Sequence, residues 1–269
     1  MYSYEDSMIS GVNHPQRLTM FALRSEQTFG VESVIARLRT AIDLGFLQHG
    51  EMLPKEALLA KELHVTAFTL REALAQLRAE GMVDTKPGRG GGTFVNHASR
   101  LVRGKATSRL RELSAVALRD LADWKAMLLG ESAELAATRA SPSNIARLVG
   151  YKARIADAKD ALTACRAHAR FDVELASVAQ SVRLSAAALQ IYEDFGWLLA
   201  LAHEEQEYTD LCAATVGEVL ERITQGEGIE AGNVARSRTR VSFDNLVRLR
   251  LKLIAEGAEN ILGEKLETA

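Results

Sequence analysis

The sequence predicts a mainly α-helical protein in two parts, the first of which carries one small β-hairpin. Residues 53–95 read as two short helices, a tight turn and a hairpin whose tip is rich in glycine. From about Leu110 onward, long segments rich in alanine and leucine are separated by short breaks, with no strand pattern. A chain of 269 residues has room for two domains.

The chain begins with a polar, aperiodic segment, 1–27, in which we expect a disordered arm. The next segment, Val31–Leu47, repeats apolar residues with the spacing of one helical face and is expected to form the first helix. Its core stripe consists of Val31, Val34, Ile35, Leu38 and Ile42.

Two shorter helices are predicted next. Pro54 suits the first turn of one of them, because its missing N–H costs nothing there. Thr66 can cap the following helix, and Gly81 is the residue type that most readily follows a helix C-terminus. The apolar stripes of the two helices are Leu58, Leu59 and Leu63, and Leu70, Ala73, Leu74 and Leu77.

Two short strands, Met82–Lys86 and Thr93–Val95, flank the turn Pro87–Gly92. Helices and hairpin in this order form a winged helix-turn-helix, which places one helix in the DNA major groove and a loop beside it. We expect this domain over 28–97. The predicted fold is therefore mainly α, with an N-terminal winged helix-turn-helix that has a small β-hairpin wing, followed by an all-α helical bundle.

The outward face of the third helix carries side chains that could contact DNA. Arg71 can reach a phosphate or a guanine edge, with a solvated charge as the alternative. Thr66 and Thr69 can bond phosphate oxygens. Phe68 could touch a thymine methyl or fold back onto a neighbouring helix. The predicted DNA-binding residues are Lys55, Thr66, Phe68, Thr69, Arg71, Arg89, Gly90 and Gly91.

The wing tip, residues 88–92, does not fit the known glycine-rich phosphate loops. A P-loop needs lysine and then serine or threonine after its last glycine, whereas Thr93 and Phe94 follow here. The dinucleotide fingerprint fails as well, because Thr93 occupies its sixth position. A flexible tip with one arginine fits a probe of the DNA minor groove. The alternative is a plain hairpin turn.

These motifs resemble the GntR family of bacterial transcription regulators. The matching residues lie within about 30–96 and are Leu53-Pro54-x-Glu56, Val65-Thr66, Leu70-Arg71-Glu72-Ala73-Leu74, Leu77, Glu80-Gly81 and Pro87-Gly-Arg-Gly-Gly-Gly-Thr-Phe-Val95. The resemblance implies a DNA-binding domain. Ala57 and Ala67 stand where the family often has arginines that touch DNA, so the operator sequence does not follow by analogy.

The composition is that of a globular protein with a core, since 47% of residues are apolar and 25% charged. No apolar run approaches the ~18 residues that span a membrane, and the N-terminus lacks a signal peptide, so we expect a cytoplasmic protein. Cys165 and Cys212 are isolated and are predicted to be reduced, buried thiols. The net charge is −2, but basic residues cluster around the wing and beyond it, which suffices for DNA.

Beyond the hairpin we expect a polar, basic linker over 98–109, a helical bundle over 110–258 and a tail over 259–269. Helix breaks are predicted at 141–144, 180–183, 208–210 and 226–228. A winged helix followed by an all-α domain resembles the FadR subfamily. In that subfamily the C-terminal domain, called FCD, binds effectors and forms dimers. Scattered matches such as Leu135-Ala-Ala137 accompany the helix pattern.

The FCD domain usually carries a metal site, with an Asp-x-x-Phe-His signature and two further histidines on the last two long helices. Here the signature reads His168-Ala-Arg-Phe171-Asp172, with the two polar residues exchanged. Val216 and Arg238 stand where the other histidines belong; valine cannot ligate a metal and arginine repels one. Two ligands are too few for a tight zinc-like site, so we expect no metal and no cofactor.

His168 and Asp172 share a helical face that is otherwise apolar and should point inward. A buried aspartate needs a partner, and Arg238 is the predicted one. Lys125 aligns with an arginine that the family often uses for ligands. The predicted effector-binding residues are therefore Lys125, His168, Asp172 and Arg238, a set suited to a small carboxylate or acyl compound. The alternative is an internal salt-bridge network from which Lys125 extends to water.

Two further side chains, His203 and Tyr192, are not expected to take part in ligand binding. His203 is followed by Glu204, Glu205 and Glu207 and is predicted to lie at a solvated helix end. Tyr192 is expected to pack in the core or at a dimer contact.

The favoured interpretation is a homodimeric transcription regulator, for example a repressor, that reads a roughly palindromic operator in double-stranded DNA. A small anionic effector would shift the population of dimer geometries that fit the operator. The alternative is an enzyme whose helical domain acts on a small acid and whose winged helix is vestigial. We expect no enzyme, because no Ser/His/Asp or Cys/His arrangement follows from the spacing.

Overall fold

The computed structural model describes residues 30–267, except 44, 48, 89, 90, 97 and 98; side chains are described outside 99–103, 105, 194, 197 and 257–267. The expected N-terminal arm, 1–27, lies outside these residues. The chain divides into two compact units, one ending at residue 98 and the other beginning at residue 99. Within the described residues, no helix is both long enough and apolar enough to cross a membrane.

The first unit has the predicted winged helix-turn-helix architecture. Its elements are α1 (Val31–Asp43), α2 (Glu56–Glu62), α3 (Ala67–Ala79), β1 (Val83–Lys86) and β2 (Gly92–Val95). Helix α3 packs against α1 and α2. Most of the predicted apolar stripes form the core, with these side chains buried: Val34, Ile35, Leu38, Ile42, Leu59, Leu63, Leu70, Ala73, Leu74 and Leu77. Two stripe residues differ from the prediction, because Leu58 is 45% exposed and Val31 is only partly buried.

Two helix ends in this unit differ from the prediction. Helix α1 ends at Asp43 rather than Leu47, because the chain turns at Gly45, whose φ of +66° lies in the left-handed region. Pro54 lies before α2 rather than in its first turn, since Lys55 is the N-cap. Leu47, beyond α1, and Leu53, before α2, are nevertheless buried, so residues next to these helix ends also pack into the core.

The two ends of α3 are as predicted. The hydroxyl of Thr66 caps the helix by accepting a hydrogen bond from the backbone N–H of Thr69 at 3.1 Å. Gly81 follows the last turn with φ +72°, the conformation in which glycine carries no steric penalty.

The hairpin pairs its strands antiparallel, with Val83 opposite Val95. Its tip is tight: Gly88 has φ +101°, and the N–H of Gly91 donates to the carbonyl of Gly88 at 2.8 Å. A Cβ on Gly91 would lie 2.2 Å from the carbonyl oxygen of Lys86. Only glycine therefore fits at Gly91, so the turn itself requires this glycine.

The second unit is the predicted all-α bundle. Its elements are α4 (Ser99–Glu112), α5 (Ala115–Arg139), α6 (Pro142–Ala156), α7 (Ala161–Val178), α8 (Val182–Phe195), a 3-10 turn (Gly196–Leu198), α9 (Leu199–Ala202), α10 (Gln206–Gln225) and α11 (Gly228–Glu267). Helices α5 and α11 form its most extensive pair; α7 packs on α5, and α10 packs on α11. Phe171, Leu175, Val216 and Val219 lie in the shared core.

Three of the four predicted helix breaks are confirmed. Ser141 caps α6 with a capping box, Ser181 caps α8, and Gly226 ends α10 with φ +75°. The break predicted at 208–210 is wrong, because these residues lie inside α10, which begins at Gln206. The chain is interrupted earlier instead, by the 3-10 turn and the short helix α9.

The residues expected to form a linker are helical. Helix α4 spans this stretch, with Ala106 and Leu110, four residues apart, fully buried, and it packs against α9 and α11. Two apolar side chains on one face thus outweigh a mostly polar composition. The tail expected over 259–269 is also helical up to Glu267, where α11 ends; no proline interrupts it.

Candidate functional site

The exposed face at the start of α3 carries the predicted DNA-binding side chains. Thr66 and Arg71 are exposed and Thr69 is partly exposed. Phe68 is 68% exposed, so it does not fold back onto a neighbouring helix, which was one of its two predicted roles. Lys55, the N-cap of α2, is exposed as well. We call this surface the α3 face; it combines one apolar ring with hydroxyl and cationic groups.

Arg71 has an ion-pair partner within the first unit. Its Nε lies 3.0 Å from Oε2 of Glu56, and the two side chains are 67% and 48% exposed. An exposed pair of this kind contributes roughly 0–1 kcal/mol. Arg71 can therefore exchange Glu56 for a phosphate or a base edge at little cost.

The wing supplies the other part of this surface. Lys86, at the end of β1, holds its ammonium 4.7 Å from the ring centre of Phe94, a cation–π distance. Gly91 is placed by the tight turn described above. Arg89 and Gly90, both predicted to contact DNA, lie outside the described residues.

In the second unit, the four predicted effector-binding residues meet in one buried cluster. Lys125 comes from α5, His168 and Asp172 from α7, and Arg238 from α11, and each is at most 5% exposed. Arg238 Nη2 donates to Asp172 Oδ1, which confirms the predicted pair. Lys125 Nζ lies 3.0 Å from Asp172 Oδ2, so Lys125 points into the cluster rather than to water. We call these four residues the acid–base cluster.

Tyr192, on α8, completes the surroundings of the Asp172 carboxylate. Its hydroxyl donates to Asp172 Oδ2 at 2.5 Å and accepts from Lys125 Nζ at 2.9 Å. The sequence predicted only a packing role for this side chain. Its polar tip instead joins the two charges, which is how a buried tyrosine usually satisfies its hydroxyl.

A chain of imidazoles extends from the cluster. Arg238 Nη1 lies 3.0 Å from His168 Nε2, and because a guanidinium only donates, Nε2 accepts and Nδ1 carries the proton. His168 Nδ1 lies 3.1 Å from His203 Nε2. His203 Nδ1 in turn faces the Thr209 hydroxyl at 2.9 Å. His203 is 4% exposed, so its predicted place at a solvated helix end is wrong; the short helix α9 turns it inward.

Cys212, on α10, lies beside the imidazole of His168. Its Sγ is 3.3 Å from His168 Nδ1. Burial raises the pKa of the Cys212 thiol to about 12, so it is a neutral thiol at pH 7. Cys165 and Cys212 are both buried thiols, as predicted.

The protein environment lowers the pKa values of Asp172, Lys125 and both histidines, but for different physical reasons. Burial by itself raises the pKa of Asp172, but Arg238 and Lys125 outweigh it and the pKa lies below its usual range. Burial lowers the pKa of Lys125, with Asp172 as the main opposing charge. Burial also lowers the pKa of His168 well below its ordinary value and that of His203 to about 4. Both imidazoles are therefore neutral at pH 7.

A cleft of about 340 Å³ between α10 and α11 opens onto the cluster. Arg238 and Cys212 line it from the inside, and Ser237 and Ser242 add hydroxyls. Arg238 Nε is buried and has no hydrogen-bond partner among the described residues. A buried donor without a partner is costly.

The metal signature of the FCD domain does not fit these residues. Val216 is fully buried in the apolar core, and it offers no ligand atom. The guanidinium of Arg238 contacts both Asp172 and His168, so a cation would have to displace it. The side chains at the signature positions therefore do not form the ligand set that the signature describes.

We predict that the second unit loses stability as the pH falls from about 6.5 to about 4. In this window an unfolded histidine takes up a proton that the folded His203, with its pKa lowered to about 4, does not. Each such histidine contributes a slope of about 1.4 kcal/mol per pH unit. His203→Gln should remove one such share of the slope. Urea unfolding followed by fluorescence measures this, because both tryptophans, residues 124 and 197, lie in the second unit. Parallel pH curves for wild type and His203→Gln would contradict the assignment.

Comparison with known proteins gives relatives among transcription regulators. The chain is 36% identical over 167 residues to an inferred HTH-type transcriptional regulator RmpR of Mycobacterium gastri, a match that covers 61% of this chain and 60% of that protein. It is 41% identical over 103 residues to the Glc operon transcriptional activator of Escherichia coli K12, covering 37% of this chain and 38% of that one. The matched part of the chain thus spans less than two thirds of either relative.

Solved structures and a family model match as well. An inferred GntR transcriptional regulator from Rhodococcus sp. RHA1 is 17% identical, with a TM-score of 0.48 over 81% of this chain and 97% of that one. Residues 31–95 match the model of bacterial regulatory proteins of the gntR family. This range contains all five elements of the first unit and the α3 face. Residues 31–95 are therefore a winged helix-turn-helix domain of the GntR family.

Proposed function

We propose that the protein is a homodimeric, sequence-specific DNA-binding transcription regulator whose second unit binds a small anionic effector. The observation that carries the proposal is the α3 face, which presents Arg71, Phe68 and two threonines on the second helix of a GntR-family helix-turn-helix. In this fold the second helix enters the major groove and the wing contacts the flanking backbone or minor groove.

The side chains of the α3 face suggest how the bases are read. Arg71 can form two hydrogen bonds to a guanine, and Phe68 offers an apolar surface to the methyl group of a thymine. Thr66 and Thr69 lie at the N-terminus of α3, where backbone N–H groups and hydroxyls favour a phosphate. Ala57 and Ala67 supply no charge, so direct base contact rests on few side chains. Two copies in a dimer would read two half-sites of a roughly palindromic operator.

An anionic effector is supported by the charges of the acid–base cluster. Two cations, Lys125 and Arg238, face one carboxylate, Asp172, and both imidazoles are neutral. The cluster therefore has one positive charge in excess, which a carboxylate or an acyl thioester could neutralise or partner. Arg238 lines the cleft with an unsatisfied Nε, so an entering acid group would meet a ready donor.

The same contacts suggest how binding could change the conformation. An acid group on Arg238 competes with Asp172 for the guanidinium, so α11 would be held differently against α7. Helix α11 also packs on α4, the first helix of the second unit. An effector with different affinities for the two arrangements would shift the population between them.

Loss of Arg71 should weaken DNA binding selectively. We expect Arg71→Ala to reduce the affinity for the DNA upstream of the protein's own gene by about 1–3 kcal/mol relative to competitor DNA. Arg78→Ala is the matched control, since it lies two turns further along α3 and its Nε bonds to Thr85 at 3.1 Å. Gel shifts with both variants measure this. Equal affinity for wild type and Arg71→Ala would show that the α3 face does not read DNA.

Loss of Arg238 should abolish the response to effectors while leaving DNA binding intact. Acetate, L-lactate, succinate and acetyl-coenzyme A serve as probes of plain, hydroxylated and paired carboxylates and of acyl thioesters. A probe present at 100 times its Kd stabilises the folded protein by about 2.7 kcal/mol, which thermal melting detects. Arg238→Ala should lose this stabilisation, and so should Lys125→Gln; Arg240→Ala, exposed and two residues further on, should keep it. A wild-type response in folded Arg238→Ala would remove the anion site from this cluster.

A further inference from the structure

Three donor atoms converge on one side of the His168 ring, away from the carboxylate of Asp172. His168 Nδ1 lies 3.1 Å from His203 Nε2 and 3.3 Å from Cys212 Sγ. All three donor atoms lie within 4.8 Å of one another, and all three residues are buried. His168 lies on α7 and Cys212 on α10, and His203 is the residue that directly follows α9. The packing of the bundle therefore brings the three side chains together.

The spacing of these atoms is close to that of a coordination shell. Metal–nitrogen and metal–sulfur bonds of about 2.0–2.3 Å separate neighbouring ligands of one ion by roughly 3.3–3.8 Å. The two distances from Nδ1, 3.1 Å and 3.3 Å, are at most a few tenths of an ångström shorter. They are hydrogen-bond distances, so replacing the Nδ1 proton by an ion requires these two distances to lengthen slightly. The third pair, His203 Nε2 and Cys212 Sγ, lies within 4.8 Å.

We propose that His168, His203 and Cys212 form a trigonal site for a soft monovalent cation, Cu(I). The ligand atoms are His168 Nδ1, His203 Nε2 and Cys212 Sγ. Two of its three ligands, His203 and Cys212, lie outside the carboxylate and histidine signature discussed above, whereas His168 occupies one of the signature positions. It does not depend on the proposed DNA or effector binding.

The donor set favours copper over the harder divalent ions. A thiolate with two imidazoles is a soft set, and trigonal coordination by two histidines and one cysteine is typical of copper. Zinc prefers four ligands, and no fourth His, Cys, Asp or Glu side chain joins this group among the described residues.

Charge selects the monovalent ion. Lys125 and Arg238 already place two cations against the single carboxylate of Asp172. A Cu⁺ that replaces the proton of the Cys212 thiol leaves the total charge unchanged. A Zn²⁺ bound in the same way would add one positive charge to a buried group that already has an excess, which is expensive at low dielectric.

Copper binding would move two protons in the site, one from Cys212 and one within His168. The Cys212 thiol gives its proton to solvent as the Cu–S bond forms. The Nδ1 proton of His168 moves to Nε2, because a neutral imidazole carries one proton and Nδ1 now binds the ion. Nε2–H then faces Asp172 Oδ2, now 3.6 Å away, in the carboxylate–histidine–metal arrangement that orients many ligating histidines. One Cu⁺ enters for each proton released, and no oxidation or reduction takes place.

A route into the site is present. Cys212 lines the cleft between α10 and α11 together with Ser242 and Arg238. Copper entering from the cleft would meet the thiol first. Because Nε2 can no longer accept from Arg238 once it carries the proton, copper binding would also release that contact of the guanidinium.

The test is an anaerobic titration of the purified full-length protein with Cu(I), in competition with a chromophoric Cu(I) chelator. We expect one Cu(I) per chain, release of one proton per ion, and an X-ray absorption spectrum with one sulfur and two nitrogen ligands. Cys212→Ser and His203→Gln should each weaken binding by more than the about 10–100-fold that outer-shell changes cause. Cys165→Ser is the matched control: this thiol is also buried but donates to the Gly196 carbonyl at 3.6 Å, so its loss should leave Cu(I) binding unchanged.

Several results would overturn the proposal. They are the absence of Cu(I) binding by the wild-type protein, equal binding by Cys212→Ser, or dependence on Cys165 in place of Cys212. Tight binding of Zn²⁺ that is lost in the same two variants would overturn the selection by charge. Because none of these readouts uses DNA or an effector, failure here is distinguishable from failure of the proposed regulatory function.

Discussion

The carboxylate of Asp172 is the charge on which the second unit depends. It is fully buried and is contacted by Arg238 from α11, Lys125 from α5 and the hydroxyl of Tyr192 from α8. An isolated buried carboxylate would be very costly, and only close opposite charges and hydrogen bonds make its burial tolerable. One side chain of α7 thus holds three neighbouring helices in a single arrangement, and the directions of the other polar groups follow from it.

The order of the hydrogen bonds illustrates this dependence. Because Asp172 fixes the guanidinium of Arg238, the same guanidinium must donate to His168 Nε2, and the imidazole then has only Nδ1 left to donate. That choice sets the tautomer of His203 and the role of Thr209. The cluster is therefore a directed chain rather than a set of independent pairs, and a change at one end alters the donor that the other end presents.

The fold and much of the cluster were predictable from the sequence, for physical reasons. Lys125, His168 and Asp172 fall on apolar helical faces, so inward charges needed partners, and Arg238 was the available cation. Tyr192 gave no such signal, because an aromatic ring on an apolar face is usually core and its hydroxyl leaves no periodic trace. The prediction that His203 is solvent-exposed was wrong, and it rested on the glutamates at 204, 205 and 207. Three charged neighbours indicate a solvent-exposed position. However, the helix before His203 has only four residues and follows a 3-10 turn, so it is too short for its apolar periodicity to reveal which side chains point inward.

The helical stretch 99–112 was missed for a related reason. Its composition is polar and basic, yet Ala106 and Leu110 are enough to anchor one face. Likewise, no spacing along the chain places Cys212 beside His168 and His203, since the three residues belong to separate helices. Contacts of this kind depend on tertiary packing, which local patterns do not encode.

A double-mutant cycle at Asp172 and Arg238 tests the central role of this pair most directly. Asp172→Asn, Arg238→Met and the double variant are unfolded in urea under tryptophan fluorescence, with the exposed Arg222–Glu227 pair, 2.6 Å apart, as the matched reference. We expect each single change at the buried pair to cost about 3–5 kcal/mol and the double variant to cost much less than the sum of the two. At the reference pair we expect coupling of about 1 kcal/mol or less. Single effects at the buried pair that add within about 0.5 kcal/mol would contradict the account.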